Sequence, residues 1–274
     1  MKKTIDLLTF ELYRIRKAYF VLLAIIATMQ IGAVVQTANQ YLMRLEIFQR
    51  ETNGNAINYL SQWGPISYSN VQGSLLTTFS VILGVIAIGF YVFAIWYRDW
   101  IGKNNFSYRL LTLPGSRLSI YWSKLLTILF LIAGLLSLQV LLNFIGSELL
   151  QLLVPNELFQ SLSPNESVYD SSILLIVLPP ALGDFFINYL VGITALITVN
   201  MLILIELSYK WIGITIDVLL FLVGNSILVI LFRSNFFAYL FPKELLLLIV
   251  FSSLSITILA IGMSKWLIER KISV

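Results

Sequence analysis

The chain has 274 residues, of which 58% are hydrophobic and 12% charged, and its mean hydropathy of +0.88 excludes a soluble globular domain. It contains no cysteine and no histidine, which excludes disulfides, the usual zinc sites and Ser-His catalytic triads. The net charge of +4 is accounted for by Lys and Arg facing anionic lipid headgroups, so no nucleic acid partner is expected.

The first segment, residues 1–17, carries apolar residues at helical spacing, and charged residues cover much of its remaining surface. The apolar stripe consists of Met1, Ile5, Leu8, Leu12 and Ile15. This pattern predicts an interfacial helix that lies along the membrane surface in contact with lipid. The alternative is a basic segment that merely orients the first span.

Blocks of roughly 20 apolar residues follow, the length that a helix needs to cross a hydrocarbon core about 30 Å thick. They are Ala18–Val35, Leu75–Trp96, Leu125–Ile145, Phe185–Ile205, Ile212–Leu231 and Leu245–Met263. The sequence therefore predicts an all-α, polytopic membrane protein with six transmembrane helices, folded as a single membrane domain over residues 1–274.

The first span contains Ala24, Thr28 and Gly32 at i, i+4 and i+8. Such a ridge of small residues lets two helices approach closely. It predicts either the seam of a dimer or a contact within the chain.

The basic residues predict the orientation. Most of the 18 Lys and Arg residues fall at the two termini and in residues 97–124, so the positive-inside rule places both termini in the cytoplasm. Composition rich in Ile, Leu, Asn and Lys suggests a low-GC bacterium and its cytoplasmic membrane. The outer loops are then residues 36–74 and 146–184. Within the second, the apolar stretch 173–182 is too short to span, and either it is re-entrant or surface-lying, or it packs on neighbouring helices.

Residues 97–124, between the second and third spans, are too long and too mixed to be a simple connector. Asp99 opens the segment, Gly102 allows a turn, and Pro114 ends about two possible helical turns. A short amphipathic helix here would present Phe106, Arg109, Leu110 and Leu113 to a partner or to the membrane. The alternative is a positively charged surface loop.

Several polar residues interrupt the later spans. They are Gln139 and Asn143 on one face of the third span, Asn200 in the fourth, and Asp217 and Asn225 in the fifth. Hydrogen bonding between helices is one interpretation and the lining of a substrate path is the other. Asp217 lies about 8 Å from the start of its span at 1.5 Å per residue, which favours a snorkelling or capping role over a proton relay.

Residues 97–124 resemble the permeases of type-2 ABC exporters. The shared order is an acidic residue, a glycine, a Leu-Leu pair, a proline, a Ser-Arg pair and a lysine at the start of a span. These positions are Asp99, Gly102, Leu110, Leu111, Pro114, Ser116, Arg117 and Lys124. The whole layout is similar too, with an interfacial N-terminal helix, six spans and both termini inside. In that family the corresponding segment is the coupling helix.

The resemblance implies that a separate ATP-binding cassette ATPase docks on residues 99–117, and that a second permease, a copy or a homologue, completes the transporter. ATP and Mg belong to the ATPase subunit, and this chain is expected to bind no cofactor and no metal. It has no Gly-x-x-x-x-Gly-Lys-Ser/Thr motif, since Tyr97 stands where the first glycine before Gly102 and Lys103 should be. The chain is therefore not predicted to be an enzyme.

The resulting hypothesis is export of an amphipathic or hydrophobic cargo, such as an antimicrobial peptide, a drug or a lipid-linked molecule. An ion-coupled secondary carrier is the first alternative, although carriers usually bury ionisable residues at mid-membrane. A membrane sensor or immunity protein without transport activity is the second.

Overall fold

The computed structural model describes residues 2–52, 55–101, 116–163, 166–169, 171–233 and 239–271. Its α-helices are α1 (Lys2–Thr52), α2 (Ala56–Trp63), α3 (Tyr68–Gln72), α4 (Leu75–Ile101), α5 (Leu118–Leu153), α6 (Ser172–Val177), α7 (Leu182–Tyr209), α8 (Trp211–Arg233) and α9 (Pro242–Trp266). Short 3₁₀ turns lie at Asn156–Leu158 and Glu166–Val168, and a π turn at Leu267–Lys271 follows α9. The described residues contain no β-strand, and an isolated bridge pairs Ile66 with Phe159.

Five segments are long and apolar enough to cross a membrane. They are Lys3–Thr52, Leu75–Trp100, Leu118–Leu153, Leu182–Tyr209 and Pro242–Lys271. The all-α, multi-pass membrane character predicted from the sequence is thereby confirmed. In α8 a shorter apolar run, Trp211–Ser226, was identified within the described residues. The count of six spans and their orientation stay predictions.

Helix α1 is much longer than the first predicted span. It runs for 51 residues, through residues 2–17, the predicted span and the beginning of the predicted outer loop. Its sequence contains no proline and only Gly32 as a glycine, so nothing in it breaks the helix. The helix therefore continues 17 residues past Val35, where the predicted span ends. The interfacial position of residues 1–17 stays a prediction, on a helix that continues directly into the apolar segment.

The segments predicted as outer loops are largely helical and packed where the structure describes them, and their position outside the membrane stays a prediction. Residues 36–74 contain the end of α1 together with α2 and α3, and α5 continues to Leu153, eight residues beyond its predicted end at Ile145. A buried cluster joins these segments around Tyr59. Its other members are Ala33, Val34, Ala38, Leu45, Ile66, Tyr68, Val71, Leu150, Val154 and Leu158.

Directional contacts fix this Tyr59 cluster. The Tyr59 ring meets those of Tyr41 and Phe48 edge-on, each at 5.5 Å between centroids. The Tyr68 hydroxyl donates to the carbonyl of Leu142 at 3.2 Å, and its ring lies so close to Gly146 that a Cβ there would clash with it. Burial raises the pKa of both Tyr59 and Tyr68. The cluster therefore needs glycine at position 146.

The apolar stretch 173–182 forms the short helix α6 and then ends. The Ser171 hydroxyl caps it by accepting from the N–H of Leu174, and the paired prolines at 179 and 180 follow its last turn. Leu174 is fully buried against Val81 of α4 and Val168. This is the arrangement expected of a stretch that packs on neighbouring helices.

The chain forms two compact units. The first comprises Met1–Tyr13, Phe90–Ile128 and Phe186–Val274, and the second comprises Arg14–Gly89 and Leu129–Phe185. Helices α1, α4, α5 and α7 contribute residues to both units. The single-domain organisation stays a prediction.

In the first unit, α7 and α8 are joined by a single residue. Lys210 adopts a left-handed conformation, with φ 53°, which reverses the chain between the two helices. Gly213 lies so close to α7 that a Cβ would come within 2.6 Å of the Glu206 Cα. A glycine is required at position 213 because any side chain would separate the two helices.

Candidate functional site

A buried ion pair closes the base of the predicted coupling segment in the first unit. Asp99 lies in the last turn of α4, and Lys124 lies in the second turn of α5. The Lys124 ammonium donates to the Asp99 carboxylate and to the backbone carbonyl of Ile95. Both side chains are almost fully buried, at 2% exposure for Lys124 and 1% for Asp99. In the sequence, residues 102–115 therefore lie between two helices that this ion pair holds together.

Two further charges extend this ion pair to α1. Glu11 places one carboxylate oxygen 3.8 Å from the Lys124 ammonium, and its other oxygen accepts from the Arg98 guanidinium at 2.6 Å. Glu11 is buried, whereas Arg98 remains 30% exposed. We call Glu11, Arg98, Asp99 and Lys124 the charge cluster. It has two positive and two negative groups, so its formal charges balance.

Aromatic and amide groups pack against the charge cluster. The Lys124 ammonium lies 5.0 Å from the centre of the Trp96 ring, within the range of a cation–π interaction. The Trp96 indole N–H donates to the side-chain oxygen of Asn200, and the Asn200 amide donates to the carbonyl of Leu196 at 2.9 Å. Asn200 is fully buried, so its geometry supports helix packing rather than the lining of a path.

Most of the predicted coupling residues fall outside the described part of the chain. They are Gly102, Phe106, Arg109, Leu110, Leu113 and Pro114. Asp99 belongs to the charge cluster. Arg117 lies in the turn that starts α5, where its backbone carbonyl accepts from Ile120 at 3.1 Å. The sequence pattern predicted Asp99 and Lys124 as parts of one motif, but it missed Glu11 and Arg98 as their partners.

A second buried polar network lies in the second unit. The Gln30 amide donates to Gln139 at 2.7 Å and to Ser80 at 3.0 Å, and Gln139 donates to Asn143 at 3.1 Å. Gln72 also donates to Asn143, at 2.7 Å. We call these five residues the amide ladder. It joins α1, α3, α4 and α5.

The amide ladder decides how Gln139 and Asn143 are interpreted. Both were predicted as polar residues on one face of a span, and both are buried and bonded to other helices. Their geometry supports hydrogen bonding between helices over the lining of a substrate path. Gln30 and Gln72 were missed, although Gln30 is an amide inside the first apolar block and that signal was available.

A small acidic cluster lies where α4, α7 and α8 meet in the first unit. The Tyr97 hydroxyl donates to the Glu206 carboxylate, and Glu206 interacts electrostatically with Asp217. Asp217 is half-buried, and its Oδ1 atom is enclosed without a hydrogen bond to any described residue. Asp217 therefore faces another carboxylate, a contact that sequence reasoning did not anticipate.

The remaining predicted residues lie on uncovered helix faces. Ala24, Thr28 and Gly32 are all exposed on α1, and the Thr28 hydroxyl donates to its own helix at Ile25. Asn225 is exposed on α8, where its amide donates to the carbonyl of Phe221 at 2.9 Å. Neither set lies against another part of the chain that the structure describes, so the proposed dimer seam on α1 stays a prediction.

Within the described residues, no group of three or more Asp or Glu side chains could hold a metal ion. Comparison of the chain with protein-family models, curated proteins and solved structures gives no match. Its function is therefore inferred from the residues and their geometry alone.

Proposed function

We propose that the chain is the membrane-spanning permease subunit of an ATP-driven ABC exporter. It has six spans, both termini in the cytoplasm, and a bacterial cytoplasmic membrane as its location. One observation carries the proposal. The charge cluster ties together the two helices from which residues 102–115 emerge, and it ties both of them to α1.

The charge cluster suits a segment that must transmit force. Separating α4 from α5 at this point would leave Asp99 and Lys124 buried without each other, at a cost of about 3 to 5 kcal/mol. A displacement of residues 102–115 therefore moves the ends of both helices together, and Glu11 carries the displacement to α1. A surface loop without a transmitting role has no need of buried charges at its base.

The partner in this proposal is an ATP-binding cassette ATPase. Phe106, Leu110 and Leu113 supply apolar anchors for a groove on the ATPase, and a few such residues usually dominate an interface. The ATPase supplies ATP and Mg, and a second permease completes the working assembly. Because the amide ladder is largely satisfied by its own members, the cargo is amphipathic or hydrophobic, such as a peptide, a drug or a lipid-linked molecule.

Capture of the ATPase tests the proposal directly. The full chain is reconstituted with candidate ATP-binding cassette ATPases of the same organism, and ATP hydrolysis and co-purification are measured. Leu110→Asp is expected to lose the ATPase because a buried anchor of this kind contributes about 2 kcal/mol or more to docking. Ile57→Asp is the matched control, since Ile57 is 76% exposed on α2, in a segment predicted to face outward.

Two outcomes contradict the proposal. One is full ATPase capture by Leu110→Asp, and the other is steady ATP hydrolysis by the chain alone. Intact capture by the unmodified chain with no cargo movement would instead favour the sensor or immunity protein.

The acidic cluster favours a second candidate, an ion-coupled secondary carrier. Glu206 and Asp217 are two carboxylates within a membrane helix pair, and such groups mark proton or ion paths in carriers. Under this candidate Asp217→Asn abolishes transport while Leu110→Asp has a mild effect. Under the exporter proposal the order of the two effects is reversed, so transport assays on both variants separate the candidates.

A further inference from the structure

The end of α9 continues as a π turn, Leu267–Lys271, in which Leu267 and Ile268 are buried. The backbone hydrogen bonds of a π turn join residues five apart, so such residues lie near the same side of the helix. In an α-helix the same two residues would project about 140° apart. The π turn therefore brings Lys271 beside Trp266, five residues earlier, and turns of this kind are frequent at functional sites.

Lys271 is held between two aromatic rings. Its ammonium lies 5.7 Å from the centre of the Trp266 ring and 5.6 Å from the centre of the Tyr209 ring at the end of α7. Both distances are within the range of a cation–π interaction. We call Tyr209, Trp266 and Lys271 the lysine clamp. It joins the ends of two segments, Leu182–Tyr209 and Pro242–Lys271, that are long and apolar enough to cross a membrane.

The clamped ammonium keeps its hydrogen-bond donors available. Lys271 is exposed and forms no hydrogen bond or ion pair with a described residue. The two rings attract its charge through their faces, while its three N–H donors can still bind an anionic oxygen. Lys124, by contrast, donates to Asp99 and to the carbonyl of Ile95. The clamp therefore orients a cation without neutralising it.

Further positive charge lies beside the lysine clamp. Lys210 directly follows α7, and Lys265 and Arg270 lie at the end of α9; all three are exposed and form no ion pair with a described residue. Glu269 is the one carboxylate in the π turn, and Glu206, near the end of α7, already accepts a hydrogen bond within the acidic cluster. These helix ends therefore have an excess of positive charge, which suits an anionic ligand.

The position at the ends of membrane segments favours one class of anion. Aromatic and basic residues at such ends lie at the level of the lipid headgroups, and basic pockets between membrane helices bind anionic headgroups. Trp211, 83% exposed at the start of α8, adds another aromatic residue next to Lys210. In the predicted orientation these ends contact the cytoplasmic leaflet, whose surface is anionic. A headgroup phosphate therefore fits the clamp better than a soluble anion.

We propose that the lysine clamp, together with Lys210 and Arg270, binds the phosphate of an anionic phospholipid at the membrane surface. A bound lipid would hold the ends of α7 and α9 together through the clamp. Binding of this kind requires only that α7 and α9 cross the membrane, so it does not depend on the exporter proposal.

Thermal unfolding of the purified full chain in a neutral detergent, without any ATPase, tests the site. Titration with phosphatidylglycerol is expected to raise the unfolding midpoint, because a ligand that binds the folded state stabilises it. Phosphatidylcholine with the same acyl chains, which has no net charge, and inorganic phosphate are expected to have little effect. An equal rise with phosphatidylcholine, or a rise with inorganic phosphate alone, would overturn the assignment to an anionic lipid.

Two lysine variants separate the clamp from diffuse surface charge. Lys271→Gln removes the clamped ammonium and is expected to weaken phosphatidylglycerol binding roughly five-fold. Lys265→Gln is the matched control, because it removes the same charge from an exposed position at the same helix end but leaves the clamp intact. It should weaken binding clearly less. Equal weakening by the two substitutions would overturn the proposed site.

Two variants of Tyr209 isolate the aromatic part of the clamp. Tyr209→Leu removes one ring without changing any charge and is expected to weaken binding about two- to five-fold, the range of an exposed cation–π interaction. Tyr209→Phe keeps the ring and should preserve binding. Unchanged binding by Tyr209→Leu would refute the role of the rings. Because no ATPase is present, loss of lipid binding is distinguishable from failure of the exporter proposal, which is read from ATPase capture.

Discussion

The charge cluster and the amide ladder bury polar groups in different ways, although both join α1, α4 and α5. In the first unit these helices are joined by Glu11, Arg98, Asp99 and Lys124, all of which are charged. In the second unit they are joined by neutral amides and one hydroxyl. The same helices are thus held by charge at one place along their length and by amide hydrogen bonds at another.

The difference lies in what each network tolerates. A buried ionisable group that loses its partner must either stay charged without water or give up its charge, and both cost free energy. An amide both donates and accepts, so Gln30 and Gln139 can re-pair within the ladder after a small shift. The charge cluster therefore behaves as a rigid joint, whereas the ladder behaves as an adjustable one.

This contrast agrees with the proposed roles of the two networks. The charge cluster lies near the facing ends of α4 and α5, which flank residues 102–115 in the sequence. Under the proposal that segment receives force from a partner, which requires a stiff base. The amide ladder joins its helices by hydrogen bonds that average only about 0.6 kcal/mol in measured membrane proteins. Under the exporter proposal, helices held in this way would slide or rotate past one another at low cost during transport.

Removal of one buried charge should give the largest fall in the free energy of unfolding. Lys124→Met removes the ammonium that the buried Asp99 carboxylate faces, while Glu11 keeps its contact with Arg98, and we expect the free energy of unfolding to fall by about 3 to 5 kcal/mol. Denaturant unfolding in mixed micelles measures this loss. Lys243→Met removes an exposed lysine near the start of α9 and should change stability by less than about 0.5 kcal/mol.

A double variant distinguishes loss of charge balance from loss of packing. Lys124→Met with Asp99→Asn leaves the Glu11–Arg98 pair intact and also removes the negative charge that Lys124 faced. It should recover much of the stability that Lys124→Met loses. If the double variant is less stable than Lys124→Met, charge balance does not explain the cost.

A substitution in the amide ladder should lower the free energy of unfolding by less. Gln139→Leu deletes the hydrogen bonds of Gln139 with Gln30 and Asn143, and we expect a loss of about 1 to 2 kcal/mol in the same unfolding assay. Ser137→Ala is the control because Ser137 is exposed on the same helix and donates only to the carbonyl of Ala133. A loss for Gln139→Leu as large as that for Lys124→Met would remove the contrast between rigid and adjustable joints.

The sequence predicted the apolar helices well because length and hydropathy alone decide them. The full length of α1 was not predicted because residues 36–74 were assigned to an outer loop, yet the polar Asn39, Gln40 and Arg44 lie on the exposed face of a helix whose other face is buried. Ala38 and Leu45 lie on that buried face, and what covers them comes from α2, α3 and α5. No local pattern carries that information.

The sequence predicted members of the amide ladder more fully than members of the charge cluster. Gln139 and Asn143 were found because they are four residues apart on one helix. Glu11 and Arg98 are 87 residues apart, and Glu11 was counted among the charges of an interfacial surface. Its burial depends on a positive partner from α4, and a single sequence does not reveal such a pairing.

Removal of an exposed carboxylate, that of Glu166, should change the stability of the fold least. The Glu166 carboxylate accepts from the backbone N–H of Ser163 at 3.0 Å, and this hydrogen bond, together with one from the Ser163 side chain, lowers the pKa of Glu166 from its ordinary value of 4.5. Because the pKa of this carboxyl is lower in the folded than in the unfolded state, its ionised form stabilises the fold at pH values above the unfolded pKa. That stability is lost as the pH falls through the folded pKa. Glu166→Gln should therefore lower the unfolding midpoint slightly at pH 7 and not at pH 3, measured beside Glu157→Gln, which removes an exposed charge from the other 3₁₀ turn. An equal difference at both pH values would mean that the charge of Glu166 contributes nothing, and that among the acidic groups compared here only buried ones stabilise the fold.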